Sequence, residues 1–306
     1  MGAPHKSSPK ASAPDVPTNA QLASQATICP IYEPRERFGR IKNKALTEAS
    51  GLVASDQNPD VLWSHNDSGA QAVVYAMTSH GKHLGAFQLF GVEAVDWEDI
   101  AIGPGPDLSK RYLYVGDIGD NRAKRDSIEV YRVIEPQVLP TQVVLPQILF
   151  GTERIALKYA DGRARDAEAL IVDPKTADLY IVTKPRTGSP VVYRAQATSN
   201  PNGPRILEAV ATLRSLSTSS LLPPLVTAAD ISRDGRQILV RTYFHAYLYQ
   251  CAKDASIADC FQQDPCQVPL LFEPQGEAIA FAADGSGYYT TSEGRLPSIH
   301  FFELQK

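Results

Sequence analysis

Five segments of the chain share one order of polar and apolar positions. Each starts with a polar residue, continues as a short apolar strand, and reaches a turn rich in Asp, Gly or Pro before a second, aromatic-rich strand. The segments are EASGLVAS from Glu48, DWEDIAIG from Asp96, DAEALIVD from Asp166, TAADISRD from Thr227 and QGEAIAFA from Gln275. Because no helical patterns alternate with these strands, the pattern predicts an all-β repeat protein.

Most of the segments are followed by one or two further strand-like runs, such as AVVYAMT and HLGAFQLF in the first unit. Four antiparallel strands in a unit make a propeller blade. The segment starts are 48, 70, 61 and 48 residues apart, near or above the roughly 40–50 residues of familiar propeller repeats. The sequence therefore predicts a β-propeller of five blades, with a sixth blade within residues 133–165 as the alternative.

The last unit is too short to complete a blade by itself. From Gln275 the chain has 32 residues left, which provide AIAFAA, GYYTTSE and SIHFFEL but no fourth strand. We expect the N-terminal segment RFGRIKNKAL to supply that strand, because closing the ring removes an open sheet edge. Residues 31–306 are then a single propeller domain, and residues 1–30, rich in Pro, Ser and Ala, are predicted to be a disordered leader.

Four cysteines indicate the compartment of the protein. Cys29, Cys251, Cys260 and Cys266 lack the CxxC spacing of a zinc site, so we predict two disulfides, with buried free thiols as the alternative. The spacing leaves the pairing open, and we expect Cys251 to pair with Cys266 across a hairpin and Cys29 to pair with Cys260. Because disulfides imply an oxidising compartment, we expect a secreted or periplasmic protein whose export signal has been removed.

Charge and hydropathy narrow the set of partners. The net charge is -4 and the isoelectric point is about 5.9, so the chain has no broad basic field for nucleic acid. No apolar run reaches the roughly 18 residues of a membrane span. We expect a monomer that binds a small molecule or a glycan, without nucleic acid and without a membrane span.

Propeller topology predicts where the polar residues meet. In an up-and-down blade, the entry of the innermost strand and the loop after the second strand lie on one face, around the mouth of the central channel. Five carboxylates at strand entries are predicted metal ligands: Glu48, Asp96, Glu98, Glu168 and Glu277. Side chains of the second loops are predicted to bind a substrate: Asn66, Asp117, Lys184, Arg186, Tyr243, His245 and Glu293.

Carboxylates crowded at a channel mouth need a compensating charge. Pairs within roughly 10 Å repel by about 1–2 kcal/mol at an effective dielectric near 20, and a hard cation with oxygen ligands, Ca²⁺ above all, relieves this repulsion. The alternative is that the acids cap turns at the blade junctions. The charge varies between repeats, because Ser50 and Ala229 align with Glu98, Glu168 and Glu277, and an architectural motif would vary less in charge.

Two other residue types refine the expected ligand. Lys184 and Arg186 among the carboxylates favour an anionic or polyhydroxylated ligand, with ion pairing across blades as the alternative. The two tryptophans, Trp63 and Trp97, are predicted to be packing residues. Trp97 stands beside the acids, and its alternative role is the floor of a sugar subsite.

The segments DWEDIAIGPG, LYVGDIGDN, DAEALIVDP and PQGEAIAF resemble those of secreted bacterial β-propeller proteins of mostly unassigned function. More distantly, they resemble the esterase-like phytase and SdiA-regulated propellers with their EGIA and EASGL strand starts. The resemblance covers roughly residues 45–300. It implies an extracytoplasmic propeller that binds calcium.

Two classes of function remain open at this point. The first is a metal-assisted hydrolase of an anionic or sugar-like substrate, in which Glu98, Glu168 or Asp67 serves as the general base. The second is a non-catalytic propeller scaffold that holds a structural metal and binds a ligand or a protein. A carboxylate with a raised pKa and open metal coordination would favour the hydrolase.

Overall fold

A computed structural model describes residues 2, 28–67, 69–138, 146–198, 203–217 and 223–306 of the chain. The regular secondary structure of the described residues is almost entirely β-strand, with one short α-helix, α1 (Ile257–Cys260), and one 3-10 turn over Arg214–Ser217. Within them, no helix is both long and apolar enough to cross a membrane. The greater part of the predicted leader lies outside the described residues.

The strands follow one another in small antiparallel groups. Two short strands come first, β1 (Tyr32–Pro34) and β2 (Gly39–Arg40). The first group is β3 (Ala49–Ala54), β4 (Val61–Asn66), β5 (Val73–Thr78) and β6 (His83–Leu89). The second is β7 (Trp97–Gly103), β8 (Tyr112–Asp117) and β9 (Ile128–Ile134), followed by β10 (Gln147–Leu149) and β11 (Glu153–Tyr159).

The remaining strands repeat this arrangement. The third group is β12 (Ala167–Val172), β13 (Leu179–Thr183), β14 (Val191–Ala195) and β15 (Arg205–Thr212). The fourth is β16 (Val226–Ile231), β17 (Gln237–Thr242), β18 (Ala246–Gln250) and β19 (Cys266–Val268). The last is β20 (Gly276–Phe281), β21 (Gly287–Ser292) and β22 (Ser298–Leu304).

The first strand of each group lies innermost, and these strands form a ring. Strand β3 contacts β7 and β20, β12 contacts β7 and β16, and β16 contacts β20. Each is hydrogen-bonded to the next strand of its own group in antiparallel register. This arrangement of sheets around a central channel confirms the predicted all-β propeller, and the described residues contribute five innermost strands to it.

Residues 133–165, the alternative sixth blade, are divided between two groups. Strand β11 pairs antiparallel with β9 and so completes the second group. Strand β10 pairs parallel with β6 at the outer edge of the first group. Strand β11 also pairs parallel with β15, which joins the second and third groups at their outer edges. Residues 139–145 lie outside the described part of the chain.

The N-terminus closes the ring as predicted, although in two pieces. Strand β1 pairs with β22 in the register Tyr32↔Leu304, and β2 pairs with the same strand in the register Gly39↔Ile299. The second piece falls inside the predicted segment, and the first precedes it. Both cover the edge of β22 that the short last group would leave open.

Apolar side chains fill the layers between neighbouring groups. Separate hydrophobic clusters lie at each junction, including the junction of the last group with the first, where Ile41 and Leu46 from the N-terminal segment are buried. Trp63 and Trp97 are both fully buried between the first two groups. They are packing residues, and the burial of Trp97 contradicts its alternative role as the floor of a sugar subsite.

Two disulfides form, but the predicted pairing is wrong. Cys29 bonds Cys266, and Cys251 bonds Cys260. The register of β18 with β19 places Cys266 opposite Leu248, inside the hairpin, whereas Cys251 follows the end of β18 and meets the last residue of α1. The pairing of Cys251 with Cys266 was wrong because it depends on this register, which the sequence does not reveal.

A buried ion pair joins the last two groups. Arg241 is fully buried on β17, and its Nη2 lies 2.5 Å from Oε2 of Glu273. Its Nη1 donates to the carbonyl oxygen of Ala278 at 2.9 Å, and Oε1 of Glu273 accepts from the hydroxyl of Thr290 at 3.1 Å. A side chain larger than hydrogen at Gly276 would collide with the guanidinium, so glycine is required there.

We predict that Arg241→Met lowers the free energy of unfolding by about 3–5 kcal/mol, because it leaves the buried Glu273 carboxylate without its cation. Urea-induced unfolding at neutral pH measures this change. Arg35→Met is the matched control, since Arg35 and Glu303 form an exposed ion pair, and it should have a much smaller effect. Equal effects of the two substitutions would contradict the prediction.

Candidate functional site

Each innermost strand begins with a β-bulge that leaves one residue unpaired. The unpaired residue is Gly51 in β3, Glu98 in β7, Glu168 in β12, Thr227 in β16 and Glu277 in β20. A bulge re-aims the side chain of its extra residue. The alignment of Ser50 and Ala229 with the three glutamates is therefore wrong by one position and by two positions, respectively.

Two neutral residues near the bulges link adjacent innermost strands. The hydroxyl of Ser50 donates to the carbonyl oxygen of Glu98 at 2.6 Å. The hydroxyl of Thr227 donates to the carbonyl oxygen of Gly276 at 2.9 Å. These bonds tie β3 to β7 and β16 to β20 at the level where the carboxylates lie. At the bulge itself, the first and fourth groups carry Gly51 and Thr227 in place of a glutamate.

Glu98 and Glu168 form a hydrogen-bonded carboxyl pair. Both are 3% exposed. Burial, followed by the charges of Glu168 and Asp67, raises the pKa of Glu98 well above its ordinary value. Burial also raises the pKa of Glu168 to about 8, although Lys184 partly opposes the shift. At neutral pH the pair therefore holds a proton.

A chain of polar contacts continues from this pair across two further groups. Lys184 Nζ lies 2.9 Å from Glu168 Oε1 and donates to the hydroxyl of Tyr243 at 3.0 Å. That hydroxyl donates to Oε1 of Glu277 at 2.9 Å. Burial alone would lower the pKa of Lys184, but the charges of Glu168 and Glu277 outweigh it and hold that pKa above its ordinary value. Lys184 is thus a charged partner of the acids.

Two groups of carboxylates share Glu98. One oxygen each of Asp67, Asp96 and Glu98 lie within 4.8 Å of one another, and the same holds for Glu98, Asp166 and Glu168. Burial, together with the charges of Asp67 and Asp166, raises the pKa of Asp96 to about 6. We call these five residues the acidic mouth: Asp67, Asp96, Glu98, Asp166 and Glu168.

A glycine permits this crowding. A Cβ atom at Gly119 would collide with Oε1 of Glu98 and with Oδ2 of Asp96. The amide of Gly119 donates to the carbonyl oxygen of Asp96 at 3.2 Å, which fixes the loop after β8 against the carboxylates. Sequence reasoning missed Gly119, and the GDIGDN segment was the signal that could have revealed it.

Two of the predicted substrate-binding residues are hydrogen-bonded to the backbone. Asp117 is fully buried, and its carboxylate accepts hydrogen bonds from the amides of Val95 and Asp96. Its Oδ1 also lies 2.7 Å from Nη1 of Arg125. Asn66 accepts from the amides of Thr47 and Glu48 at 3.0 Å and donates to the carbonyl oxygen of Ala45. These contacts hold the entries of β7 and β3 and occupy the groups that a ligand would need.

The other predicted residues lie around the acidic mouth. Glu293 is close enough to Glu277 and Asp67 that these charges, after burial, raise its pKa to about 7. Glu48 is exposed and belongs to neither carboxylate group. His245 packs beside Tyr247, with ring centroids 6.0 Å apart. The structure thus brings Asp96, Glu98 and Glu168 together from the predicted metal ligands, while Glu277 joins through Tyr243 and Lys184.

Below the mouth, one aspartate ties three innermost strands together. The fully buried Asp99 accepts from the amides of Ile100 and Leu170 at 2.9 Å and from that of Ala229 at 3.3 Å. These amides belong to β7, β12 and β16. Burial raises the pKa of Asp99 well above its ordinary value. Of the acids in DWED, Asp99 is therefore architectural, whereas Asp96 and Glu98 face each other at the mouth.

Comparison with known proteins assigns no family to this chain. No family model matches the chain, and no curated protein matches it. The sequence resemblance to secreted bacterial and phytase-like propellers therefore stays a prediction.

Among solved structures, the crystal structure of RRP9 WD40 repeats is 13% identical, with 83% of this chain and 79% of that chain covered and a TM-score of 0.42. A chain of the mitotic checkpoint complex is 11% identical, with 84% of this chain and 62% of that chain covered and a TM-score of 0.39. Neither likeness bears on the acidic mouth.

We predict that, in EDTA, the free energy of unfolding falls as the pH rises from 7.5 to 9. The pKa of Glu168 is about 8 in the folded state against 4.5 when unperturbed. The folded chain therefore binds more protons than the unfolded chain in this range, and raising the pH favours unfolding. Urea titrations at several pH values measure the slope.

The range starts at 7.5 because of a histidine that acts in the opposite direction. Burial lowers the pKa of His65 from 6.5 to about 4, so its contribution to stability rises with pH until the unfolded histidine is deprotonated, about one pH unit above 6.5. Glu168→Gln should make the slope above pH 7.5 shallower, although the raised pKa of Glu98 still contributes to it, and the exposed Glu208→Gln should leave it unchanged. A wild-type slope that matches that of Glu168→Gln would contradict the assignment.

Proposed function

We propose that this chain is an extracytoplasmic β-propeller that binds a divalent cation, Ca²⁺, in its acidic mouth and uses the bound cation to capture a ligand. The observation that carries the proposal is the pair of carboxylate groups that share Glu98. Asp67 and Asp96 form one group with Glu98, and Asp166 and Glu168 form the other. One cation can therefore draw oxygen ligands from more than one blade.

The chemistry of the donors supports a hard cation. All the candidate ligands are carboxylate oxygens, and Ca²⁺ takes six to eight oxygen ligands in flexible geometry. Burial and mutual repulsion raise the pKa of Asp96 and of Glu98, so the deprotonated acids are costly without a compensating charge. Lys184 lies beside Glu168 and contributes one such charge. A cation between Asp67, Asp96 and Glu98 would supply the other.

The two disulfides support the location. Cys29 with Cys266 and Cys251 with Cys260 would persist in an oxidising compartment. Extracellular calcium-binding modules work with dissociation constants of about 10⁻⁴–10⁻³ M. The proposed site belongs to this class, because its acids must lose protons before they bind the ion.

We predict that Ca²⁺ raises the melting temperature by several degrees relative to EDTA. A ligand that binds only the folded state at 100 times its dissociation constant stabilises it by about 2.7 kcal/mol. Glu98→Gln should abolish most of this gain because Glu98 belongs to both carboxylate groups. In EDTA the same substitution should raise the melting temperature, since it removes a source of repulsion.

Glu208→Gln is the matched control, because Glu208 is exposed on β15. It should respond to Ca²⁺ as the wild type does. Equilibrium dialysis with ⁴⁵Ca²⁺ measures the stoichiometry directly. An unchanged melting temperature with and without Ca²⁺, or an equal response of Glu98→Gln, would refute the cation site.

A second candidate function is a metal-assisted hydrolase of an anionic or sugar-like substrate. The specific observation in its favour is the hydrogen-bonded pair of Glu98 and Glu168, because two carboxyls that share a proton provide both an acid and a base at neutral pH. In this mechanism, Asp67 or one member of the pair would accept a proton from the attacking water.

For this second function, we expect Ca²⁺-dependent hydrolysis of chromogenic phosphate esters or glycosides. Glu168→Gln should abolish turnover, whereas Glu208→Gln should not. Calcium binding with no turnover of any of these substrates would leave the scaffold function and remove support for the hydrolase.

A further inference from the structure

A cavity of about 400 Å³ opens beside the acidic mouth, between the second and third groups of strands. The loop after β8 and the loop after β13 form its walls. Asp166 lines this cavity and also belongs to the carboxylate group of Glu98 and Glu168. Lys184 lines it as well and is the ion-pair partner of Glu168. The cavity and the mouth therefore share a wall.

Basic side chains outnumber acidic ones, four to two, in the lining of this cavity. Four basic side chains line it: Arg122, Arg165, Lys184 and Arg186. Lys184 is matched by Glu168, and Arg165 is matched by Asp161, with Nη2 to Oδ2 at 2.5 Å. Among the described residues, Arg122 and Arg186 form no ion pair. Two positive charges thus remain for a ligand.

The acids of the cavity are already bound by the backbone. Oδ2 of Asp120 accepts from the amides of Lys124 and Arg125, both at 2.7 Å. Oδ1 of Asp166 accepts from the amide of Asp120 at 2.9 Å. These bonds direct oxygens of both carboxylates toward the chain. Nη2 of Arg186 donates to the carbonyl oxygen of Asn121 at 3.2 Å, which anchors the guanidinium across the two loops.

We propose that this cavity is an oxyanion subsite, in which Arg122 and Arg186 bind a carboxylate or a phosphate group. Guanidinium groups bind both oxyanions through paired hydrogen bonds. The aliphatic side chains of Ala123, Pro185 and Val191 also line the cavity and suit the carbon skeleton of a ligand. The inference deepens the proposed function and rests on it in one respect: the rest of the ligand reaches the cation at the mouth.

Isothermal titration calorimetry with three sugars of one skeleton tests the subsite. Glucose 6-phosphate and glucuronate carry the two oxyanions, and glucose carries neither. Each is titrated at low ionic strength with Ca²⁺ and again with EDTA. We expect one or both charged sugars to bind more tightly than glucose. The double variant Arg122→Gln/Arg186→Gln should weaken that binding about tenfold or more.

The matched control is Arg163→Gln/Arg236→Gln, which removes the same charge from two exposed arginines that do not line the cavity. It should bind the charged sugars as the wild type does. The subsite is overturned if neither charged sugar exceeds glucose in affinity. It is also overturned if the double variant of Arg122 and Arg186 matches its control.

Calcium titration of the same variants separates this inference from the proposed function. Both double variants should bind Ca²⁺ as the wild type does, since neither changes the acidic mouth. Arginine-dependent binding of a charged sugar in EDTA, in a protein that does not bind Ca²⁺, would support the subsite and refute the cation site. Calcium binding, together with no effect of Arg122→Gln/Arg186→Gln on the binding of the charged sugars, would support the cation site and refute the subsite.

Discussion

The cost of burying several carboxylates together at one end of the channel is the constraint on which the site depends. Burial raises the pKa of both Glu98 and Glu168, and Lys184 and Tyr243 connect them to Glu277. Isolated buried charges would protonate or take up water. The chain of contacts spans four groups of strands, so the chemistry of the mouth is coupled to the packing of the ring.

Local features of the strands make room for these carboxylates and hold them in place. A bulge at the entry of an innermost strand turns Glu98 out of the sheet, and Gly119 leaves room for it beside Asp96. Directly below, the Asp99 carboxylate accepts hydrogen bonds from amides of three innermost strands. The strands beneath the acidic mouth are therefore tied to one another, which favours a site whose ligand positions are set before binding. Beside it, Arg122 and Arg186 add a surface of the opposite charge.

The sequence predicted the features that depend on local pattern. Repeated polar and apolar order located the innermost strands, and the short last unit predicted that the N-terminal segment pairs with β22. Features that depend on register were not predictable. A bulge adds an unpaired residue to a strand and so shifts its alignment with the other repeats. For this reason the sequence comparison aligned Ala229 with the glutamates, although Thr227 occupies the bulge. The pairing of Cys29 with Cys266 depends on where β19 meets β18.

Some side chains of the predicted site have other roles. Asn66 and Asp117 are residue types that often bind ligands. In this structure each accepts hydrogen bonds from backbone amides at a strand entry. A sequence does not distinguish a carboxylate that binds an amide of its own chain from one that binds a metal ion. The distances show which carboxylates cluster, because one oxygen each of Asp67, Asp96 and Glu98 lie within 4.8 Å of one another.

The most direct measurement of the central claim is anomalous diffraction from crystals grown with Ca²⁺, recorded at long wavelength. The account predicts an anomalous peak in the acidic mouth, with oxygens of Glu98 and Asp96 at about 2.3–2.6 Å from it. A mouth without an anomalous peak in crystals at saturating Ca²⁺, with the Glu98 and Glu168 carboxyls still hydrogen-bonded to each other, would contradict it.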